Sequence, residues 1–198
     1  SRKALNFVFL IASPMMIYFM LFAKQGIYFL SGDAFGPAVV PMQLIMPTLL
    51  LIGITNILGI QILVPLGYEK AVLVSEIVGA VIDLVVNALL IPQYQSSGAA
   101  IGTLLAEFAV MVVQCIALKD EIKTDFSDIK FLKIILAIIL ASLASFWVTA
   151  LNLHVFITLV ISAMLFFGVY GIVLIIMKEK LVIEILTQIF SKVKRKSA

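Results

Sequence analysis

Long apolar runs separated by short polar segments dominate the chain. Six of these runs are long enough for a helix to cross the hydrocarbon core of a bilayer, which takes about 20 residues. They cover Ala4–Ala23, Ala38–Leu66, Ala71–Ile91, Ala99–Leu118, Phe131–Leu151 and Val155–Met177. The pattern predicts an all-α, polytopic membrane protein built as a bundle of six transmembrane helices.

Prolines and the last segment modify this picture. Pro14 predicts a bend in the first helix, and Pro41 and Pro47 predict a kinked or interfacial start to the overlong second one. The final segment mixes apolar residues with Lys, Glu and Gln, which favours an amphipathic helix along the cytoplasmic membrane interface, ending in a basic tail. The predicted organisation is four helices in residues 1–118, a cytoplasmic loop in 119–130, two additional transmembrane helices in 131–177, and the interfacial helix and tail in 178–198.

Composition and charge agree with a membrane protein. Hydrophobic residues make up 63% of the chain and charged residues only 13%, about half the ~25% of a soluble domain. Threading six spans places every Lys and Arg except Lys24 on the side of the N-terminus. Because cytoplasmic loops are enriched in basic residues, both termini are predicted to be cytoplasmic. The net charge of +3 then reflects topology, and nucleic acid is not an expected partner.

Polar residues inside the third and fourth predicted helices fall on single faces. On the third helix, one stripe consists of Glu76, Ala80, Asp83 and Asn87, which are 4, 3 and 4 residues apart. At 3.6 residues per turn, these positions lie within roughly 60° of each other around the helix. On the fourth helix, one face carries Thr103, Glu107 and Gln114. The short predicted loop Pro92–Gly98 makes the two helices antiparallel neighbours, so the stripes are expected to face each other.

Two interpretations of these polar residues remain open. Ionisable groups at membrane depth are costly and often mark a transport path, so Asp83, Asn87 and Thr103 are candidate oxygen ligands for Na⁺, and Asp83 and Glu107 are candidates for proton exchange. Alternatively, the polar side chains only hydrogen-bond neighbouring helices. Four polar residues are candidates for lining a cavity: Asn56, Gln61, Glu76 and Gln114. Glu76 is expected at the mouth of that cavity.

Catalytic signatures are missing from the sequence. The chain has no GxGxxG, Walker, HExxH or GxSxG motif, and its only histidine is His154. Metal-dependent or triad hydrolysis is therefore not expected. A single cysteine, Cys115, excludes a disulfide framework and a cysteine-rich metal site. The sequence predicts neither an enzyme nor a cofactor, apart from coupling to Na⁺ or H⁺.

One tract resembles a known transporter family. It reads SGDAFGPAVVPMQLIMPTLLLIGITNILGIQILVPLGYEK, followed by VGAVIDLVVNALLIPQYQSSGAAIGTLLAE. It is similar to the C-terminal part of bacterial Wzx-type oligosaccharide-unit flippases, which share a superfamily with the multidrug and toxin extrusion (MATE) exporters and the lipid II flippases. The resemblance covers about Ala4–Gln114, and QILVPLGYEK and DLVVNALLIPQY are its most diagnostic parts. The family often has Gly after the Tyr of the following turn, where this chain has Gln95.

The resemblance implies a function. Such flippases carry undecaprenyl-diphosphate-linked oligosaccharide to the outer leaflet of the bacterial plasma membrane, by alternating access of a cavity between two lobes. The chain would supply four helices of the C-terminal lobe and two additional ones, with Asp83, Asn87 and Thr103 at positions similar to a cation site of related lipid flippases.

Further expectations concern the rest of the protein. Since the chain begins at Ser1 without Met, we expect a piece of a longer protein whose missing N-terminal portion holds the cations that grip the diphosphate. The expected partners are that portion, the lipid-linked oligosaccharide and membrane lipids. Alternatives are a fragment of a MATE-type drug or toxin exporter, or a non-transporting structural membrane subunit.

Overall fold

Helices account for all the regular structure that can be described. The computed structural model describes residues 2–119, 131–185 and 187–188. In chain order the α-helices are α1 (Arg2–Leu21), α2 (Ala23–Ser31), α3 (Val39–Ile45), α4 (Thr48–Asn56), α5 (Glu69–Ala117), α6 (Phe131–Phe146) and α7 (Val155–Ile176). Three tighter or wider helical segments join them: 3-10 helices at Asp33–Ala38 and Trp147–Leu151, and a π-helix at Ile57–Leu63. The all-α prediction is confirmed for these residues.

Five helical runs among the described residues are long and apolar enough to cross a membrane. Four of them correspond to single runs predicted from the sequence. The fifth, Glu69–Ala117, combines two predicted runs in 49 residues. A straight helix of that length would extend about 74 Å, far more than the ~30 Å hydrocarbon core of a bilayer.

The 49-residue run is not straight, because the chain reverses at Gln95. This residue has φ 49° and ψ −124°, whereas helical geometry continues on both sides of it. We call residues 69–94 the first limb of α5 and residues 96–117 the second limb. The loop predicted over Pro92–Gly98 is therefore shorter than expected, since Pro92 lies inside the first limb.

Close contacts show that the two limbs are antiparallel. Near the reversal, a Cβ on Gly98 would lie 2.6 Å from the backbone carbonyl of Leu90. Far from it, Gln114 Nε2 donates a hydrogen bond to Ser75 Oγ at 3.2 Å. Only a residue without a side chain permits the backbone approach at Gly98, so this glycine allows the hairpin to be tight.

The second predicted run is broken, as its prolines indicated. Helix α3 ends at Ile45 and α4 begins after Pro47, where the missing N–H and fixed φ of proline favour a new helix start. The π-helix then widens the last turns, with Val64 N donating to Gly59 O at 3.0 Å. Pro65 follows it and crowds the preceding turn. The sequence did not predict this π-helix.

Helix α1 lies between the two halves of the bundle. One face packs on α6 and α7, in a core formed by Leu10, Tyr18, Phe22, Ala137, Ala141, Phe166, Tyr170 and Leu174. The other face packs on α4, the π-helix and the end of α5, in a core formed by Leu5, Ile54, Ile57, Leu58, Leu63 and Leu118. The helix runs through Pro14 without interruption, and helical geometry first breaks at Phe22, before α2.

Ion pairs hold several helix ends together at one end of the bundle. Lys133 Nζ lies 3.6 Å from Glu179 Oε2 and donates to the carbonyl of Met177, at the C-terminus of α7. Lys3 Nζ lies 3.0 Å from Glu184 Oε1, which ties α1 to the helical residues 180–185. The remainder of the predicted interfacial helix (186 and 189–198) and loop residues 120–130 lie outside the described residues.

Candidate functional site

A polar groove lies along the α5 hairpin, between its two limbs. It has a volume of about 230 Å³, and its walls include Glu76 and Asp83 from the first limb and Thr103 and Glu107 from the second. The two stripes predicted from helical spacing therefore share one groove. Among the described residues, only the two limbs line it.

Asp83 and Asn87 point toward Gly102 on the second limb. Oδ1 of each side chain is buried and has no hydrogen-bond partner within the described part of the chain. Both oxygens approach Gly102, where an added Cβ would lie 3.3 Å from Asp83 Oδ1 and 2.1 Å from Asn87 Oδ1. A buried acceptor without a donor costs free energy, so this pair of oxygens favours a ligand or a proton.

Thr103 directly follows Gly102 and is half-buried in the wall of the groove. The structure thus brings Asp83 and Thr103 to one groove and places Asn87 beside it, next to Gly102. All three offer hard oxygen atoms of the kind that bind Na⁺. Glu107 is half-buried in the same groove, facing Glu76 across the hairpin.

The other cavity candidates separate into two groups. Asn56, Glu76 and Gln114 line a second pocket of about 70 Å³ between the α4–π-helix junction and α5. Gln61 is exposed on the π-helix and lies apart from both pockets. Its predicted place at a cavity stays a prediction.

Gln114 is the most deeply buried of the predicted candidates, with 1% of its surface exposed. Its hydrogen bond to Ser75 joins the limbs, so it also serves as interhelical glue, the competing interpretation of these polar residues. Ser75 was missed by the sequence reasoning. Its spacing of four from Gly79 and eight from Asp83 places it on the same face, which was the available signal.

The side chains of the groove limit what it can bind. Within the described ranges, no group of three or more His, Cys, Asp and Glu residues is placed to hold a metal ion. Among the residues that the structure describes, the groove has acidic and neutral oxygens but no basic side chain. Its chemistry suits a monovalent cation or exchangeable protons, and it does not suit an anionic diphosphate.

Comparisons with protein-family models, with curated proteins and with solved structures found no match for this chain. The functional interpretation therefore depends on the residues and their geometry, together with the sequence resemblance described above.

Proposed function

We propose that the chain crosses the membrane six times and forms part of a cation-coupled transporter. Its five long apolar runs support this proposal, with α5 contributing two spans because it reverses at Gln95. The basic residues Lys3 and Lys133 lie at one end of the bundle with Glu179 and Glu184. By the positive-inside rule this end is cytoplasmic.

The observation that carries the coupling proposal is the pair of buried oxygens on Asp83 and Asn87 that have no hydrogen-bond partner in the described part of the chain. Gln114 and Ser75 share a direct hydrogen bond between the two limbs, whereas Oδ1 of Asp83 and Oδ1 of Asn87 accept none from the described residues. Asp83 and Asn87 keep free acceptors beside an acidic groove, at a depth where unpaired polar groups are costly. Na⁺ or a proton bound there would supply the missing partner, with Thr103 and Glu107 close by.

The proposed cargo is an undecaprenyl-diphosphate-linked oligosaccharide, moved to the outer leaflet by alternating access. The support for this cargo is the sequence resemblance to oligosaccharide-unit flippases. Its described lining holds carboxylates and no Lys or Arg, so the groove does not suit the grip on a diphosphate. In this proposal the groove couples the ion, whereas a further set of helices outside this chain completes the cavity for the lipid.

Transport by the full-length protein tests the proposal. The protein would be reconstituted in proteoliposomes with a fluorescent undecaprenyl-diphosphate-linked oligosaccharide, and flipping would be followed by quenching under a Na⁺ or a pH gradient. Asp83→Asn removes the charge but keeps the shape, and we expect it to abolish the acceleration by the gradient. Asp33→Asn is the matched control, since Asp33 is exposed in a 3-10 helix outside the groove.

A structural membrane subunit gives the opposite result. In that case Asp83→Asn and Glu107→Gln would leave gradient-driven flipping equal to that of the unmodified protein. A third outcome would favour the MATE-type exporter over the flippase. In that case the unmodified protein moves an amphipathic drug and does not flip the oligosaccharide, and the two variants block the movement of the drug.

A further inference from the structure

The small pocket beside the π-helix has an unusual set of polar atoms. It has a volume of about 70 Å³, and its polar walls are Thr55 and Asn56 from α4 and Glu76 and Gln114 from the two limbs of α5. Such a volume accommodates about two waters, at ~30 Å³ each, or a small ion that keeps part of its hydration shell. Gln114 is almost fully buried there, and its Oε1 has no hydrogen-bond partner among the described residues.

The hydrogen bonds around this pocket determine the orientation of the Gln114 amide. The hydroxyl of Ser75 donates to the carbonyl of Val72 at 2.7 Å, so Ser75 Oγ can only accept a further hydrogen bond. Gln114 Nε2 donates to that oxygen. The amide nitrogen must therefore face Ser75, which leaves Oε1 as the free atom.

The same reasoning applies to the two polar residues from α4. The Thr55 hydroxyl and the Asn56 Nδ2 group both donate to the carbonyl of Ile52, at 3.2 and 3.0 Å. A carbonyl only accepts, so these donors cannot turn into the pocket without losing a bond. Each neutral polar side chain of the pocket wall thus spends a donor on the protein: Thr55 has no donor left, and the amides of Asn56 and Gln114 keep one N–H each beside their oxygens.

We propose that this pocket is a second binding site for a monovalent metal cation, separate from the oxygens of Asp83 and Asn87. Its ligands would be Gln114 Oε1, the carboxylate of Glu76 and the oxygens of Thr55 and Asn56. These are the hard oxygens that such ions prefer, and one carboxylate matches a single positive charge. The site deepens the cation-coupled transport proposed above and rests on it.

The second site lies on a route to the first. Glu76 lines both the small pocket and the polar groove that contains Asp83. At 1.5 Å per residue, Glu76 is about 10 Å from the start of α5 at Glu69, and Asp83 is about 10 Å deeper. A cation that enters at the open end of the hairpin, near Glu69, would meet the small pocket first. Glu76, which lines both cavities, would then pass the cation to the polar groove.

Binding of radioactive sodium to the full-length protein tests this inference. We expect two sodium ions per protein, and Thr55→Val or Gln114→Leu should weaken one of them by roughly ten- to a hundredfold, because each removes an oxygen that contacts an ion. Thr149→Val is the matched control, because Thr149 donates to the carbonyl three residues earlier, as Thr55 does. Thr149 lies in the 3-10 helix Trp147–Leu151 and does not line the pocket. Thermal unfolding with and without Na⁺ shows whether each variant folds.

The outcomes separate this inference from the coupling proposal. One sodium per protein, bound equally by the unmodified protein and both pocket variants, would mean that the pocket holds only water, and the second site would be refuted. If Asp83→Asn still abolished gradient-driven flipping, the coupling proposal would survive that result. If the pocket variants lose one ion while Asp83→Asn has no effect on flipping, the pocket binds sodium but the coupling proposal fails.

Discussion

Substituting Gly102 with Ala should disable coupling while leaving the hairpin folded. The added Cβ would lie 2.1 Å from Asn87 Oδ1 and 2.9 Å from its Cγ, whereas carbon and oxygen normally approach to about 3.3 Å. The amide oxygen must therefore move by about 1 Å or more. The obstacle is the end of a flexible side chain, and alanine adds up to about 1 kcal/mol of helix propensity. We therefore expect little change in stability.

The functional cost of that movement should be large. A misplacement of about 1 Å at a reacting or binding group can lower activity by up to a hundredfold, so gradient-driven flipping by Gly102→Ala should fall at least tenfold. Gly168→Ala is the control, because no atom of the described residues outside its own helical turn lies within 4 Å of the added Cβ. A Gly102→Ala protein that melts normally and keeps full gradient-driven transport would show that the position of Asn87 does not matter for coupling.

Two further predictions concern the hairpin itself, and both are measured by thermal unfolding in detergent. Gln95→Gly should stabilise the protein by about 1 kcal/mol, because Gln95 holds a positive φ that favours glycine. Asn152→Gly is the control and should give a smaller gain, since asparagine tolerates the left-handed conformation of that position. No gain for Gln95→Gly would contradict strain at the turn. Gly98→Ala should destabilise by about 1–3 kcal/mol through a backbone clash, whereas Gly171→Ala, in open space, should not. Equal unfolding temperatures would refute the close approach.

Local patterns predicted much of the hairpin. Hydropathy marked both limbs as long apolar helices, and spacings of 3 and 4 placed Glu76, Asp83 and Asn87 on one face. These inferences succeed because a helix repeats every 3.6 residues wherever it lies. The break near Pro47 was predictable for a similar reason, since proline acts on its own turn.

Residues whose surroundings come from distant segments were harder to interpret. The π-helix that contains Gln61 was not expected from the sequence. Gln114 was expected to line a cavity, and it does so while also bonding Ser75, 39 positions away in the chain. Helical spacing does not report a partner at that distance or a local change of helix type. Both depend on how the neighbouring helices pack.

The sequence alone determined that this is an all-helical chain with segments apolar enough for a membrane, and that acidic and amide side chains follow one stripe. Those properties depend on the chemistry of nearby residues. The tertiary structure decided which stripes meet and which oxygens remain without donors. It did so through the reversal at Gln95 and the approach of Asn87 to Gly102. A hydrogen bond needs both partners in position, so the positions of the neighbouring donors were needed to recognise that Oδ1 of Asp83 and of Asn87 lacks a partner among the described residues.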